Sequence, residues 1–278
     1  MNILFYGNCQ IASCKYLLRL NENKYIQNVI LCFNTELNEN DFLNYIQQSD
    51  IIITQHIKDN YKNKYYLSTN FIINNKKPNA KLIFIDSCYF DLYYFDECSF
   101  PSHIYGMEPP SAYHYSQMIN YFKEKQDSIN YIINIVNNWD YKSKEELELI
   151  FYKNIYELEK RYNELIYLYG KLSNIYFISI KQFIIDNYKN KLLFYTPNHP
   201  SNLVLQYICE NLLFYLNENN NIDYYSDPLS ANKNIIYKCV QKVVNFSINE
   251  CLPLTDNEND NYLITQKYFN YYLKIGLI

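Results

Sequence analysis

Short apolar runs alternate with helical patterns along the first part of the chain. Each run is rich in β-branched residues and too short for a helix, which predicts strands at 2–6, 27–33, 50–55 and 81–86. Apolar residues at helical spacing predict helices at 9–20 and near 41–47. Continuous apolar strands separated by helices are typical of a parallel sheet that is covered on both faces.

The pattern becomes helical after about residue 112. Two long helices are predicted, at 113–138 and 142–169. Ser143 and Glu146 have the spacing of a capping box that opens the second helix, and Gly170 is a candidate to end it. The α/β pattern then resumes, with strands at 175–179 and 191–195 and helices at 181–188 and 201–216.

These elements predict one α/β domain over residues 1–216, with a helical insertion at about 113–170. A helical and coil extension at 217–278 is expected to pack on the same domain. The length of 278 residues is enough to bury a sizeable core, and the fractions of hydrophobic residues (49%) and charged residues (19%) indicate a globular protein.

Charge and cysteine patterns exclude several classes of function. The net charge of −4, without a dominant Lys/Arg run, argues against a nucleic-acid partner. No stretch approaches the roughly 18 apolar residues of a membrane span, and the first residues lack the basic segment of a secretory signal. The eight cysteines are scattered without CxxC spacing, which favours reduced thiols, a cytoplasmic location and no metal site.

The amino-acid usage is strongly biased, with 33 Tyr and 16 Phe against 4 Gly and 8 Pro. The abundant types share AT-rich codons, so we interpret their excess as genomic bias without a functional message. The scarce types are more informative, because such a bias tends to erode them.

One scarce residue, Gly7, stands between the first predicted strand and the helix that follows it, in the segment Gly7-Asn8-Cys9-Gln10. Open parallel sheets bind ligands at the carboxyl ends of their strands. A cysteine in the first turn of a helix has its thiolate favoured and its pKa lowered, and the N–H groups there can hold an oxyanion. The alternative is that Cys9 is a small packed residue and that Gly7 only permits a tight turn.

A second candidate block is Thr196-Pro197-Asn198-His199-Pro200-Ser201, after the strand predicted at 191–195. Prolines on both sides of His199 restrict its backbone, which suits a positioned general base. If that strand belongs to the parallel sheet, its end opens on the same edge as Cys9, and a Cys–His pair is geometrically feasible. The alternative is a helix start capped by Ser201, with an exposed histidine.

Two further segments carry candidate binding groups. Residues 54–61, after the third strand, contain Gln55 as an oxyanion donor and Lys58 and Tyr61 as partners for a phosphate or hydroxyl, although a plain polar loop is the simpler interpretation. The loop at 101–114 is rich in Pro and contains Gly106, His103 and His114, so it either shapes a substrate pocket or forms a rigid crossover.

Together the segments around Cys9, Gln55, 101–114 and His199 resemble, in order and approximate spacing, the WcbI family of capsular-polysaccharide biosynthesis proteins. The resemblance covers residues 2 to about 216 and implies an SGNH-like three-layer α/β sandwich with a long helical insertion. It also implies coenzyme A binding, with Cys9 in the place of the SGNH nucleophile and His199 in the place of the late catalytic histidine. Thr196 stands where the SGNH pattern has an Asp, so a dyad is expected rather than a triad.

We therefore expect an acyltransferase that moves an acetyl group from acetyl-CoA to a sugar or glycan precursor, without a metal. The expected catalytic residues are Cys9, His199, Gln10, Asn8 and Gln55. Cofactor contacts are expected from Gly7, Asn8, Gln10, Lys58, Tyr61 and Arg19, and substrate contacts from Tyr105, Glu108, His114 and Asn198. An SGNH-type glycan esterase or deacetylase and a non-catalytic glycan- or nucleotide-binding protein remain alternatives, and homo-oligomerisation is left open.

Overall fold

The computed structural model describes residues 1–34, 36–98, 114–219, 222–230, 235–248 and 259–278. Its strands are β1 (Asn2–Gly7), β2 (Ile26–Leu31), β3 (Ile51–Thr54), β4 (Lys81–Ile85), β5 (Glu97–Cys98), β6 (His114–Tyr115), β7 (Ile175–Ile178), β8 (Phe194–Thr196) and β9 (His199–Pro200). Its α-helices are α1 (Cys9–Leu17), α2 (Glu39–Gln48), α3 (Thr69–Asn75), α4 (Ser116–Lys125), α5 (Ser128–Tyr131), α6 (Lys144–Tyr169), α7 (Lys181–Asn187), α8 (Asn202–Leu216) and α9 (Asn259–Lys274). Tighter 3₁₀ turns occur at Tyr61–Asn63, Tyr65–Leu67, Leu92–Tyr94 and Lys238–Lys242, and a π-helical turn at Ile132–Val136.

The chain folds into two compact units. One comprises residues 1–89, 155–187 and 198–231, and the other comprises residues 90–154, 188–197 and 232–278. Each unit is built from segments that are far apart in the sequence. The single predicted domain over 1–216 and its extension at 217–278 stay a prediction.

A five-stranded parallel sheet forms the centre of the first unit, in the order β2-β1-β3-β4-β7. Every pair of neighbours is parallel, with Ile3 opposite Ile51 and Leu82 opposite Ile175. The strands predicted from the apolar runs before residue 90 and at 175–179 are therefore confirmed, with shifts of one or two residues at their ends. Parallel strands that are buried on both faces explain why these runs are continuously apolar.

Helices cover both faces of this sheet. On one face Leu4, Ile52 and Leu82 join a core with residues of α2, α3 and the end of α6. Successive side chains of a strand point to opposite faces, and α1 and α8 pack together and against strands of the same sheet. The first unit is thus an α/β sandwich.

The second unit has an aromatic core. Tyr115, Tyr131 and Tyr272 are buried there, together with residues of α4 and α9. Phenol rings bury a large area but need a hydrogen-bond partner for each hydroxyl. The core therefore contains polar atoms that must be paired.

The predicted helix at 113–138 is wrong in its continuity. α4 ends where Gln126 adopts a left-handed conformation with φ 48°. The Asp127 side chain then accepts the N–H groups of Ile129 and Asn130, at 2.9 and 3.2 Å, and starts α5. Asp binds nearby backbone N–H groups better at a helix start than inside a helix, which explains the break.

The strand predicted at 191–195 is wrong in its place in the fold. β8 starts at Phe194 and lies outside the parallel sheet. Two backbone carbonyls in and just after β8 accept hydrogen bonds from residues that follow β4. The Tyr94 hydroxyl donates to Phe194 O at 3.0 Å, and the Phe90 N–H donates to Pro197 O at 2.8 Å.

The predicted ends of α6 are confirmed. The Ser143 N–H donates to Glu146 Oε2 at 2.7 Å, and the Glu146 N–H donates to Ser143 Oγ at 3.1 Å, which is a complete capping box. At the other end, the Gly170 N–H donates to Ile166 O, and a Cβ at Gly170 would lie 2.5 Å from that oxygen.

Candidate active site at the sheet edge

The candidate site lies at the carboxyl edge of the parallel sheet. β1 leads into Gly7 and Cys9, β2 into Cys32, β3 into Gln55 and β4 into Asp86. Because the strands are parallel, these residues emerge at one edge. The Asn8 N–H donates to Gln55 Oε1 at 3.2 Å, so the candidate segment around Cys9 and the candidate segment at 54–61 are in contact.

Gly7 permits a close approach of three elements. A Cβ at this position would lie 2.5 Å from Ile11 Cγ1 and 2.9 Å from Gln55 Oε1. Distances below 3.0 Å are not tolerated by real Cβ atoms, so any side chain here would displace α1 or Gln55. This supports the prediction that Gly7 is a constrained position at the strand end.

Asn8 caps α1. Its Oδ1 accepts the Gln10 N–H at 2.9 Å, and its own N–H is bonded to Gln55. Two of the N–H groups at the helix start are therefore in use. The Cys9 N–H faces its own thiol, where it favours the thiolate, and among the described residues it donates to no other residue.

Gln10 is the most heavily bonded side chain of the site. Its Nε2 donates to Cys88 O at 2.8 Å and to Asn198 O at 2.7 Å. Its Oε1 accepts from Gln55 Nε2 at 2.6 Å and from the Cys88 N–H at 3.0 Å. The residue is 2% exposed, and both amide hydrogens and both oxygen lone pairs are used. Gln10 therefore holds the first turn of α1, the loop after β4 and the segment before His199 together.

The Cys9 thiol is half-buried and protonated rather than activated. Burial raises the pKa of Cys9, and it outweighs the opposite effect of the Cys9 and Gln10 N–H groups. The nearby Cys32 thiol raises the pKa further. The prediction that the helix start lowers the pKa of Cys9 is thus wrong in direction, because burial destabilises the thiolate more than the two backbone N–H groups stabilise it. A nucleophilic Cys9 would need a base.

His199 is half-buried and suited to act as that base. Burial lowers the pKa of its imidazole, so the ring is neutral near pH 7 and can accept a proton. The preceding residue, Asn198, is bonded to Gln10 in the first turn of α1. His199 was expected at this edge because a strand of the parallel sheet would precede it, and this is wrong. The bond from Gln10 to Asn198 holds the segment at the edge instead.

The other predicted binding residues of the first unit lie on its surface or rim. Lys58 is exposed, and Tyr61 accepts a weak hydrogen bond from the Cys32 thiol at 3.8 Å. Burial raises the pKa of Tyr61 to about 12, so its hydroxyl is a donor at neutral pH. Arg19 is paired with Asp223 at 2.5 Å on the exposed surface.

The predicted substrate contacts are distributed differently. His114 belongs to the second unit, where its Nδ1 lies 2.7 Å from the Tyr272 hydroxyl, and burial lowers its pKa to about 4. Tyr105 and Glu108, with His103 and Gly106 of the same loop, lie outside the described residues. Asn198 is at the sheet edge, as described above.

Three residues at this edge were missed from the sequence: Cys32, Asp86 and Cys88. Asp86 is buried and accepts the Ile180 N–H at 3.1 Å, and burial raises its pKa to about 6. Cys88 binds the Gln10 side chain with both its carbonyl oxygen and its N–H. Their positions just after β2 and β4 were the available signal, since every strand of a parallel sheet contributes its carboxyl end.

The described part of the chain contains no group of three or more His, Cys, Asp or Glu side chains placed to hold a metal ion. None of the helices within those ranges is long and apolar enough to cross a membrane.

Comparisons with known proteins agree with this fold. The family model of the polysaccharide biosynthesis enzyme WcbI matches residues 2–220. A solved structure of WcbI, described as a novel polysaccharide biosynthesis enzyme, is similar with a TM-score of 0.79 and 18% identity, over 97% of this chain and 90% of that chain. It is the native protein without a disulfide bond between coenzyme A and one of its cysteines. No curated protein matches the chain.

Proposed function

The chain belongs to the WcbI family of polysaccharide biosynthesis enzymes, and on this premise we propose that it transfers an acyl group, first of all acetyl, from a coenzyme A thioester to a sugar hydroxyl or amine. The observation that carries the proposal is the bond from Gln10 to Asn198, which ties the segment of His199 to the helix turn of Cys9. A thiol with a raised pKa and a neutral imidazole are then available at one edge of one sheet.

Coenzyme A as the donor is supported by the solved relative, whose description names coenzyme A and a cysteine of that protein. In this chain the N–H of Cys9 and the exposed Lys58 and Tyr61 would contact the donor. Arg19 is held by Asp223 and would contribute only if that surface pair opened.

Two routes use the same residues. In the covalent route, His199 accepts the Cys9 proton, the thiolate attacks the thioester carbonyl, and coenzyme A leaves as its thiol with the proton from His199. His199 then accepts the proton of the sugar hydroxyl, whose oxygen attacks the acyl group on Cys9, and Cys9 leaves and regains its proton from His199. In the direct route, His199 accepts the proton of the sugar hydroxyl, whose oxygen attacks the thioester carbonyl; coenzyme A leaves as its thiol with that proton, and Cys9 only shapes the site. In both, the Cys9 N–H would stabilise the oxyanion, a contribution typically worth about 100-fold in rate.

Mass spectrometry after incubation with acetyl-CoA tests the proposal. The covalent route predicts an acetyl adduct on the wild type and on Cys32→Ala, the matched control, but none on Cys9→Ala. The direct route predicts no adduct, but transfer that is lost in His199→Ala. Full transfer activity in His199→Ala would exclude His199 as the base.

A thermal-shift measurement separates the transferase from a glycan esterase. Coenzyme A should raise the melting temperature of a transferase by mass action and leave an esterase unchanged. A protein that binds coenzyme A but transfers nothing to any sugar would be a binding protein instead.

Several finer expectations stay proposals. They are the SGNH-like character of the sandwich, the cytoplasmic location, the absence of a metal and of a nucleic-acid partner, and homo-oligomerisation.

A further inference from the structure

An open groove runs along the free edge of the parallel sheet. β2 is an edge strand, paired with β1 on one side, and α2 lies beside the groove. The groove has a volume of about 880 Å³, which is in the range of roughly 300–1,000 Å³ typical of ligand sites.

The groove combines exposed rings with polar side chains. Phe33 is 46% and Tyr45 is 38% exposed, and neither ring has an aromatic neighbour among the described ring contacts. On α2, Asn44 and Gln48 line the same wall as Tyr45. Their spacing places these side chains on one helix face, while Phe42 and Ile46 of the opposite face are buried.

The polar groups of the wall are available for a ligand. No hydrogen bond among the described residues uses the side chain of Asn44, Tyr45 or Gln48, or the carboxylate of Glu36. They offer both donors and acceptors, side by side with the rings.

The charge of the groove selects against phosphates. Glu36 and Asp41 line it, and none of its described lining residues is Lys or Arg. The ammonium group of Lys62 lies at the Phe33 end, where it donates to Phe33 O at 3.1 Å. The phosphates of coenzyme A or of a nucleotide would be repelled by two carboxylates. An uncharged polyol would bind without that penalty.

One end of the groove lies next to the candidate active site along the chain. Phe33, which lines the groove, directly follows Cys32 at the end of β2, and the Cys32 N–H donates to Gly7 O at 2.8 Å. This bond joins the Phe33 end of the groove to the end of β1, which leads into Cys9.

We propose that this groove binds the acceptor, a neutral saccharide, by stacking sugar rings on Phe33 and Tyr45 and by hydrogen bonds to Asn44, Gln48 and Glu36. Sugar faces carry C–H groups with a partial positive charge, which fit the electron-rich faces of aromatic rings. The inference rests on the proposed function, because it assigns the acceptor of that reaction. The abundance of Tyr and Asn in the chain does not support this proposal. The support comes from the position of Phe33, Tyr45 and Asn44 along one groove.

Saturation-transfer NMR on the full-length protein tests the groove. The probes are galactose, mannose, N-acetylglucosamine and short linear oligomers of each, at about 10 mM, which detects even millimolar affinity. We expect saturation transfer to at least one probe. The affinity for that probe should fall roughly fivefold or more in Phe33→Ala and in Tyr45→Ala, and it should also fall in Gln48→Ala. Tyr225→Ala is the matched control, because that ring is 100% exposed elsewhere on the same unit.

The outcomes separate this inference from the proposed function. The absence of saturation transfer to every probe, or an equal loss of it in Tyr225→Ala, overturns the proposed saccharide site in the groove, even if acetyl-CoA still stabilises the protein. Saturation transfer to a saccharide, without any stabilisation of the protein by acetyl-CoA, overturns the proposed acyltransferase activity instead. Displacement of the saccharide by coenzyme A itself would show that the groove is the donor site and would also overturn the inference.

Discussion

Two buried hydrogen-bond networks, one in each compact unit, solve the same problem with different chemistry. In the first unit, Gln10 and Gln55 join neutral amides to backbone groups. In the second unit, Asp96 accepts the Tyr237 hydroxyl at 2.6 Å, and that hydroxyl contacts the hydroxyl of Tyr131. Both networks satisfy polar atoms that would otherwise be costly to bury.

The difference lies in what can titrate. The amide network contains no ionisable group, so its geometry is independent of pH. Burial raises the pKa of Asp96 to about 6, although the Tyr237 hydroxyl and the Gln117 N–H oppose the shift. A neutral network therefore holds the candidate active site together, while an ionisable one links the stability of the second unit to pH.

Removing the centre of the amide network should have the largest effect. Gln10→Leu leaves buried groups of Cys88, Asn198 and Gln55 unpaired, and each such loss costs about 1–3 kcal/mol. We expect a loss of roughly 3–5 kcal/mol in the free energy of unfolding, measured by urea denaturation. Gln182→Leu, at an exposed position of α7, is the control, with a change of about 0.5 kcal/mol or less. A loss as small as that of the control would show that Gln10 does not hold these segments.

The carboxyl network should make stability depend on pH. Folded Asp96 keeps its proton up to about pH 6, whereas the unfolded carboxyl releases it near its ordinary pKa of 3.8. The contribution of Asp96 to the free energy of unfolding should therefore fall as the pH rises from about 4 to 6, by at most about 3 kcal/mol. His114, whose pKa burial lowers to about 4, contributes with the opposite sign over this range, so the effect of Asp96 is read as the difference between wild type and variant.

Urea denaturation across this pH range checks the sign. Relative to the wild type, Asp96→Asn should remove a contribution that decreases with pH, while that of Asp86, whose pKa is raised to about 6, remains. Gln182→Leu, which removes no carboxyl group, is the control and should leave the slope as in the wild type. An unchanged slope in Asp96→Asn would contradict the titration of this network.

The smallest effect is expected from trimming one hydroxyl. Tyr237→Phe removes the donor to Asp96 and should cost about 1–2 kcal/mol, since the ring still fills its place. Tyr225→Phe, on a fully exposed ring, should be close to neutral in the same denaturation measurement. Equal stability of both variants would mean that the Tyr237 hydroxyl contributes nothing to the network.

Local signals in the sequence predicted the strands of the parallel sheet and the ends of the longest described helix. Apolar runs located the strands of the parallel sheet, and Ser143, Glu146 and Gly170 marked the ends of α6, because caps depend on residues within one turn. The prediction of one continuous helix at 113–138 was wrong because a local cap interrupts it. Asp127 is a start signal that the apolar periodicity concealed.

The candidate site was predicted less completely. Cys9, Gln55 and His199 were identified as members of a site, and bonds through Gln10 link Gln55 and the segment of His199 to the turn of Cys9. Their assigned roles stay proposals. Gln10 was expected to stabilise an oxyanion through its N–H and to contact the cofactor, but that N–H is bonded to Asn8 Oδ1 and the side-chain amide is saturated by protein groups.

By itself, the sequence determined the apolar strands, the caps of the long helix and the strand end where Gly7 precedes Cys9, since each depends on neighbours along the chain. Only the tertiary structure decided that β8 lies outside the sheet, that Gln10 binds residues 78 and 188 positions away, and that the pKa of Cys9 is raised. The physical reason is that burial and long-range hydrogen bonds depend on which distant segments fill the space around a residue. No local pattern records that.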